Sequence, residues 1–234
     1  MSRIFITGDT HGDNSIHKLN TKNFPIQYKL TKEDYVIICG DFGFIWDKKL
    51  SHREKYWLDW LYDKPWTTLF VSGNHENIPR LNAMGISNWN GGKIHKINES
   101  VFHLMNGQIF NIHAKKFFTM GGANSRDKAW RIEHNKTHKS KVWWKEEIPS
   151  KKELDEGVLN LEQHDWKVDY ILTHCAPFAI EQNLFSNPKI NAITSYLNNI
   201  SKAVNYTKWY CGHYHLDKMV DDNIRCIYDD IIEI

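Results

Sequence analysis

Five short apolar runs in this 234-residue chain each stop on residues able to hold a cation, and that repetition limits the folds open to it. Residues 3–7 alternate around Ile4 and Ile6 and run into Gly8-Asp9-Thr10-His11. Residues 35–39 (YVIIC) end at Gly40-Asp41, and residues 68–71 (TLFV) at Ser72-Gly73-Asn74-His75-Glu76. Further on, residues 170–173 (YILT) lead into His174, and residues 208–211 (KWYC) into Gly212-His213-Tyr214-His215. Apolar runs of this length, closed by glycine or polar turn residues, read as buried strands. Between the second and third, residues 50–62 set Tyr56, Trp57, Trp60 and Leu61 at helical spacing behind a Ser51 cap, which predicts a βαβ crossover and a parallel sheet. Ligands of open α/β sheets bind beyond the carboxyl ends of the strands, so the strands of a single sheet would deliver these groups to one rim.

The rest of the chain fills in around that frame. Asn106-Gly107 inside residues 101–112 predicts a hairpin, and residues 117–120 a further strand. Residues 123–149 are polar, rich in tryptophan and lysine, and too long for an ordinary loop, which predicts an insertion over one rim. Residues 150–163 and 190–205 read as helices, and residues 218–220 and 224–228 as an antiparallel pair turning on Asp221-Asp222-Asn223. With 41% hydrophobic and 25% charged residues, disorder, collagen and coiled coil are excluded, and the expectation is one α/β domain over residues 1–234. The net charge of +2 names no nucleic-acid or membrane partner by itself. The start, MSRIFITGDTHGD, lacks the apolar stretch of an export signal, and no run reaches the length of a membrane span, which predicts a cytoplasmic protein with no membrane partner. Cys39, Cys175, Cys211 and Cys226 are far apart and form no CxxC pair, which predicts buried, reduced thiols.

Two carboxylates, an amide oxygen and several imidazoles make a mixed nitrogen and oxygen donor set. Such a set suits two divalent first-row ions, with manganese preferred and iron, zinc, nickel or cobalt as alternatives, where magnesium or calcium would take oxygen alone. A carboxylate can span two cations, and Asp41 is the central one. Seven donors and His75 after strand ends have no simple packing explanation, since buried charge is costly without a partner. By contrast His17, His52, His95, His103, His113 and His164 read as surface or satisfied core residues, and His134 and His138, four apart, as one solvated face. The ordered set Asp-x-His, Gly-Asp, Gly-Asn-His-Glu, a lone His after a strand, and Gly-His-x-His, from Asp9 to His215, resembles the calcineurin-like metallophosphoesterase superfamily. That resemblance implies a β-sandwich flanked by helices, with Asp9, His11 and His215 on a first metal, Asn74, His174 and His213 on a second, and Asp41 bridging. It also implies hydrolysis by a hydroxide held between the two cations, with His75 near the scissile oxygen as general acid and Glu76 orienting its imidazole.

Basic and aromatic residues interleave between Arg126 and Lys145, where they could clamp phosphate and stack on a base. Arg126 and Arg131 are the leading phosphate contacts, because guanidinium binds phosphate bidentately. Protein serine/threonine phosphatases of the superfamily carry Gly-Asp-x-Val-Asp-Arg-Gly at the second motif. Here the sequence is Gly40-Asp41-Phe42-Gly43-Phe44-Ile45-Trp46-Asp47, without the arginine, which disfavours a phosphoprotein substrate and offers Phe42, Phe44 and Trp46 as an apolar wall. The expected activity is hydrolysis of a phosphomonoester or phosphodiester of a small or nucleotide-like substrate. The alternatives are a nuclease acting on DNA or RNA ends and a noncatalytic interaction scaffold. The sequence carries no signal for oligomeric state.

Overall fold

Side-chain alternation along the strands sets the layering. In a computed structural model that describes residues 2–234, Ile4 and Ile6 of β1 (Ile4–Thr7) face one core and Phe5 another. The same split separates Ile37 and Cys39 from Val36 and Ile38 in β2 (Tyr35–Cys39). The chain continues through α1 (His52–Tyr62), β3 (Thr67–Val71), α2 (Ile78–Asn82), β4 (Ile86–Trp89), β5 (Gly92–Asn98), β6 (Val101–Leu104), β7 (Gln108–Ile112) and β8 (Lys115–Met120). It then passes through α3 (Lys128–Thr137), α4 (Lys151–Gln163), β9 (Tyr170–Thr173), α5 (Phe178–Leu184), α6 (Ala192–Ala203), β10 (Lys208–Cys211), β11 (Lys218–Met219), β12 (Ile224–Cys226) and β13 (Ile231–Glu233).

Among the described residues the strands form two sheets. One is seven-stranded, ordered β13-β1-β2-β3-β6-β5-β4, and the other six-stranded, ordered β11-β12-β10-β9-β8-β7. Their inner faces meet in one core, where Leu69, Val71 and Leu104 pack with Phe110, Phe117, Leu172 and Tyr210. The outer face of the first sheet packs Phe70 and Val36 against Leu58 and Leu61 of α1, and that of the second packs Phe118, Ile171 and Trp209 against Leu161 of α4 and Leu197 of α6. The result is a mixed α/β sandwich with helices outside. No helix among the described residues is long and apolar enough to cross a membrane. All four cysteines are free and buried.

Several local expectations hold. β1, β2 and β3 run parallel, and Ser51 and Ser150 close capping boxes with Glu54 and Glu153 at the starts of α1 and α4. Two are corrected. The ligand-bearing strands do not lie in a single sheet: β1, β2 and β3 belong to one and β9 and β10 to the other. Asn106-Gly107 does not close a hairpin either, since β6 and β7 lie in different sheets. Asn106 instead donates to Glu153 Oε1 (2.8 Å) and accepts from Gly121 N (2.7 Å), so its side chain ties the crossing between sheets to α4. The tight hairpins are elsewhere. β4 and β5 turn on Asn90-Gly91 (φ 47° and 93°), and β7 and β8 on His113-Ala114 (φ 50° and 60°), both with the positive φ pair that matches strand twist. Within residues 123–149 the chain forms α3.

Candidate metal centre

Five loops at strand ends bring the ligand candidates together. Asp9 and His11 follow β1, Asp41 follows β2, Asn74 follows β3, His174 follows β9, and His213 and His215 follow β10. His11 Nε2 lies 2.9 Å from His215 Nε2, and these two atoms stand 3.5 and 3.3 Å from Asp9 Oδ2. His174 Nε2 is 3.2 Å from both Asn74 Oδ1 and Asp41 Oδ1, and His11 Nε2 is 3.5 Å from Asp41 Oδ2. Donor atoms of Asp9, His11 and His215 form one tight group, and those of Asp41, His174 and His213 another. Asp41 stands between them, touching His11 on one side and His174 on the other.

The backbone is bent to achieve this. His11, Asp41, His213 and His215 all take left-handed conformations, with φ of 46°, 45°, 67° and 52°. Non-glycine residues there cost on the order of 1 kcal/mol or more and persist where the surroundings over-determine them. Backbone amides of the ligand loops also fix the carboxylates: His213 N donates to Asp9 Oδ1 (3.0 Å) and His75 N to Asp41 Oδ1 (2.8 Å). A Cβ on Gly73 would collide with Asp41 and one on Gly212 with Asp9, which is why glycine precedes two of the ligand motifs.

The donor set fits two divalent cations. His174 Nδ1 donates to the Cys39 carbonyl (2.9 Å), so the Nε2 lone pair faces two oxygen acceptors, an arrangement that calls for positive charge between them. Without metal, protons supply that charge. Burial would lower His174, but Asp41 and Asp9 overcome it and raise the imidazole to about 10. Burial would likewise raise the two carboxylates, and His174 overcomes it to hold both below the usual carboxylate range. Burial and the His174 charge push His213 down to about 3. The groups that would hold the cations are Asp9, His11 and His215 on one side, Asn74, His174 and His213 on the other, with Asp41 shared.

His75 lies beside this set, its ring edge-on to His11 at 4.7 Å. Burial, opposed by Asp41 and reinforced by Arg131, pushes it down to about 4. Glu76 does not orient the imidazole as expected: its carboxylate accepts from Gly43 N (3.0 Å) and Gly73 N, joining two ligand loops. Burial and the Asp41 charge raise it to about 7. What holds His75 is Arg131, whose guanidinium donates to Nε2 (2.8 Å), and Trp46, stacked at 5.8 Å. Arg131 is 7% exposed and also engages Asp127 and the Val142 carbonyl. Arg126 is apart from it, in a cleft next to His213. Of the expected apolar wall, Phe42 stacks on Phe70 in the core, and only Trp46 and Phe44 reach the cavity beside His75.

Three supporting residues gave no signal in the sequence. Lys18 is buried and donates to the carbonyls of Gly8 (3.0 Å), Asp9 (2.9 Å) and Tyr228, while the Tyr228 ring stacks on His215 at 4.4 Å. Ser125 accepts from Asn74 Nδ2 (3.2 Å) and donates to Glu147 Oε2 (2.5 Å), both inside the 123–149 segment. A family model described as calcineurin-like phosphoesterase matches residues 2–217. No curated protein matches the chain.

Proposed function

The chain belongs to the calcineurin-like phosphoesterase family, whose members are metal-dependent hydrolases of phosphoester bonds, and from that premise we propose that it cleaves a phosphomonoester or phosphodiester of a small or nucleotide-like substrate, with manganese as the preferred ion. The reading is carried by the gathering of Asp9, His11, Asp41, Asn74, His174, His213 and His215 around two adjoining donor groups. When bound, two divalent cations supply Lewis acidity that acidifies water and offsets charge on the phosphoryl oxygens. The chain's own part is to fix the donors and manage the leaving group's proton.

His75 is the group for that proton. Because guanidinium can only donate, the Arg131 contact requires a lone pair on His75 Nε2 and leaves the ring proton on Nδ1. An arriving phosphoryl anion competes for the Arg131 N–H and adds negative charge beside the ring, and both changes strengthen the imidazole's hold on a proton. His75 can then take a second proton from solvent at Nε2 and pass it to the departing alkoxide, returning to the neutral Nδ1–H imidazole, with Trp46 holding the ring in place.

His75→Ala should keep its metal and lose about 100- to 10,000-fold in kcat on an alkyl phosphate, with a smaller loss on a nitrophenyl ester whose leaving group needs no proton. Equal losses on both esters would remove the acid role. Metal analysis of Asp41→Asn should show a depleted pair, and two fully occupied sites would count against a shared carboxylate.

A further inference from the structure

Next to His213 the surface opens into a cleft of about 720 Å³, lined by Arg126 and Lys128 and by Phe185 and Lys189 from the segment that follows α5. Its volume is that of small-molecule sites. Three cations line it against one carboxylate, Glu181, which already accepts the Tyr214 hydroxyl at 2.9 Å. The cleft adjoins the donor set through His213, and cations spread along its lining offer a place for a second anionic group further along the ligand. The Arg126 guanidinium lies over the Phe185 ring, 4.2 Å from its centroid. A flat cation stacked on one ring offers its opposite face to another.

Resting on the phosphoesterase reading of the adjoining centre, we propose that this cleft receives the leaving side of the substrate, and that this side carries both a flat ring and a second anionic group, as a nucleoside polyphosphate does. The reacting phosphoryl lies at the donor set, the second anion among Arg126, Lys128 and Lys189, and the ring against the Arg126–Phe185 stack. Arg126 therefore sets specificity, whereas Arg131 serves His75.

The test measures equilibrium binding to the manganese-loaded protein with two probes that resist hydrolysis, α,β-methylene adenosine diphosphate and phenylphosphonate. The diphosphate analogue should bind at least about tenfold tighter, and Arg126→Gln, Phe185→Ala and the exposed Lys189→Gln should each erode that ratio severalfold. Equal affinities in the parent protein, or a ratio that survives all three substitutions, would overturn the assignment. So would a short phosphorothioate oligonucleotide that bound far tighter than the mononucleotide with steep salt dependence, because that marks an extended nucleic-acid track. Hydrolysis assays separate the two readings. A protein that cleaves no phosphate ester but keeps the binding ratio loses the phosphoesterase reading and retains the cleft, while turnover without the ratio removes the cleft alone.

Discussion

His95 and His103 face each other across β5 and β6, with Nδ1 atoms 3.0 Å apart and rings stacked at 5.3 Å. They are 1% and 4% exposed, and His103 Nε2 has no partner among the described residues. The sequence marks both only as histidines outside the motifs, since nothing local says that two β-strand positions eight residues apart will be paired and sealed. Burial lowers both imidazoles from 6.5, His103 far below it. The sign follows from the unfolded chain, which takes up protons on these rings below about 6.5 while the folded chain resists. Their contribution to stability is complete above that pH and declines as pH falls beneath it, by up to about 1.4 kcal/mol per pH unit for each ring. Urea unfolding of His95→Gln/His103→Gln should show a shallower loss of stability between about pH 6.5 and 4.5 than the parent protein. A slope identical to the parent's would assign the proton uptake to other groups.

The element that the sequence left least defined is the 123–149 segment, and its start and end act on the centre. Asn74 presents Oδ1 toward His174 because its amide nitrogen donates to Ser125, and Ser125 is fixed by Glu147, with both residues buried at 2% exposure. Ser125 thus decides which atom of the amide faces the donor set. Ser125→Ala should weaken manganese binding about 10- to 100-fold, the usual effect of losing a partner that orients a ligand, read by metal titration with the fold checked by circular dichroism. Unchanged affinity would leave Ser125 as packing only. Its role was invisible in the sequence because a serine followed by basic residues looks like any polar loop. The ligands were legible for the opposite reason: Asp9, Asp41 and Asn74 are polar groups placed directly after apolar strands, where burial needs an explanation. The two Asn-Gly pairs show the limit of local signals. Asn90-Gly91 turns a hairpin, while Asn106-Gly107, identical as a dipeptide, crosses between sheets because Asn106 is engaged by Glu153 and Gly121.

At the scale of the whole molecule the centre lies across the seam of the sandwich. Asp9, Asp41 and Asn74 come from loops of the seven-stranded sheet, and His174, His213 and His215 from loops of the six-stranded one. Neither sheet alone supplies both donor groups, so a cation can bind well only to the packed pair, and binding must then stabilise packing by mass action. The same linkage acts on charge: Asp9 and Asp41 are buried at 0% and 1% exposure, and without metal their compensation comes from protons on the neighbouring imidazoles. With manganese at about one hundred times its dissociation constant, each occupied site adds about 2.7 kcal/mol. For a chain of this size that raises the thermal midpoint by about 5–10 °C. Scanning calorimetry with manganese and then with excess chelator should show this shift and its reversal, and Asp41→Asn should shrink it. A midpoint indifferent to manganese, in protein shown by metal analysis to have bound it, would mean that the unfolded chain holds the ion as tightly as the folded one, and would remove the claim that binding depends on the packed pair of sheets.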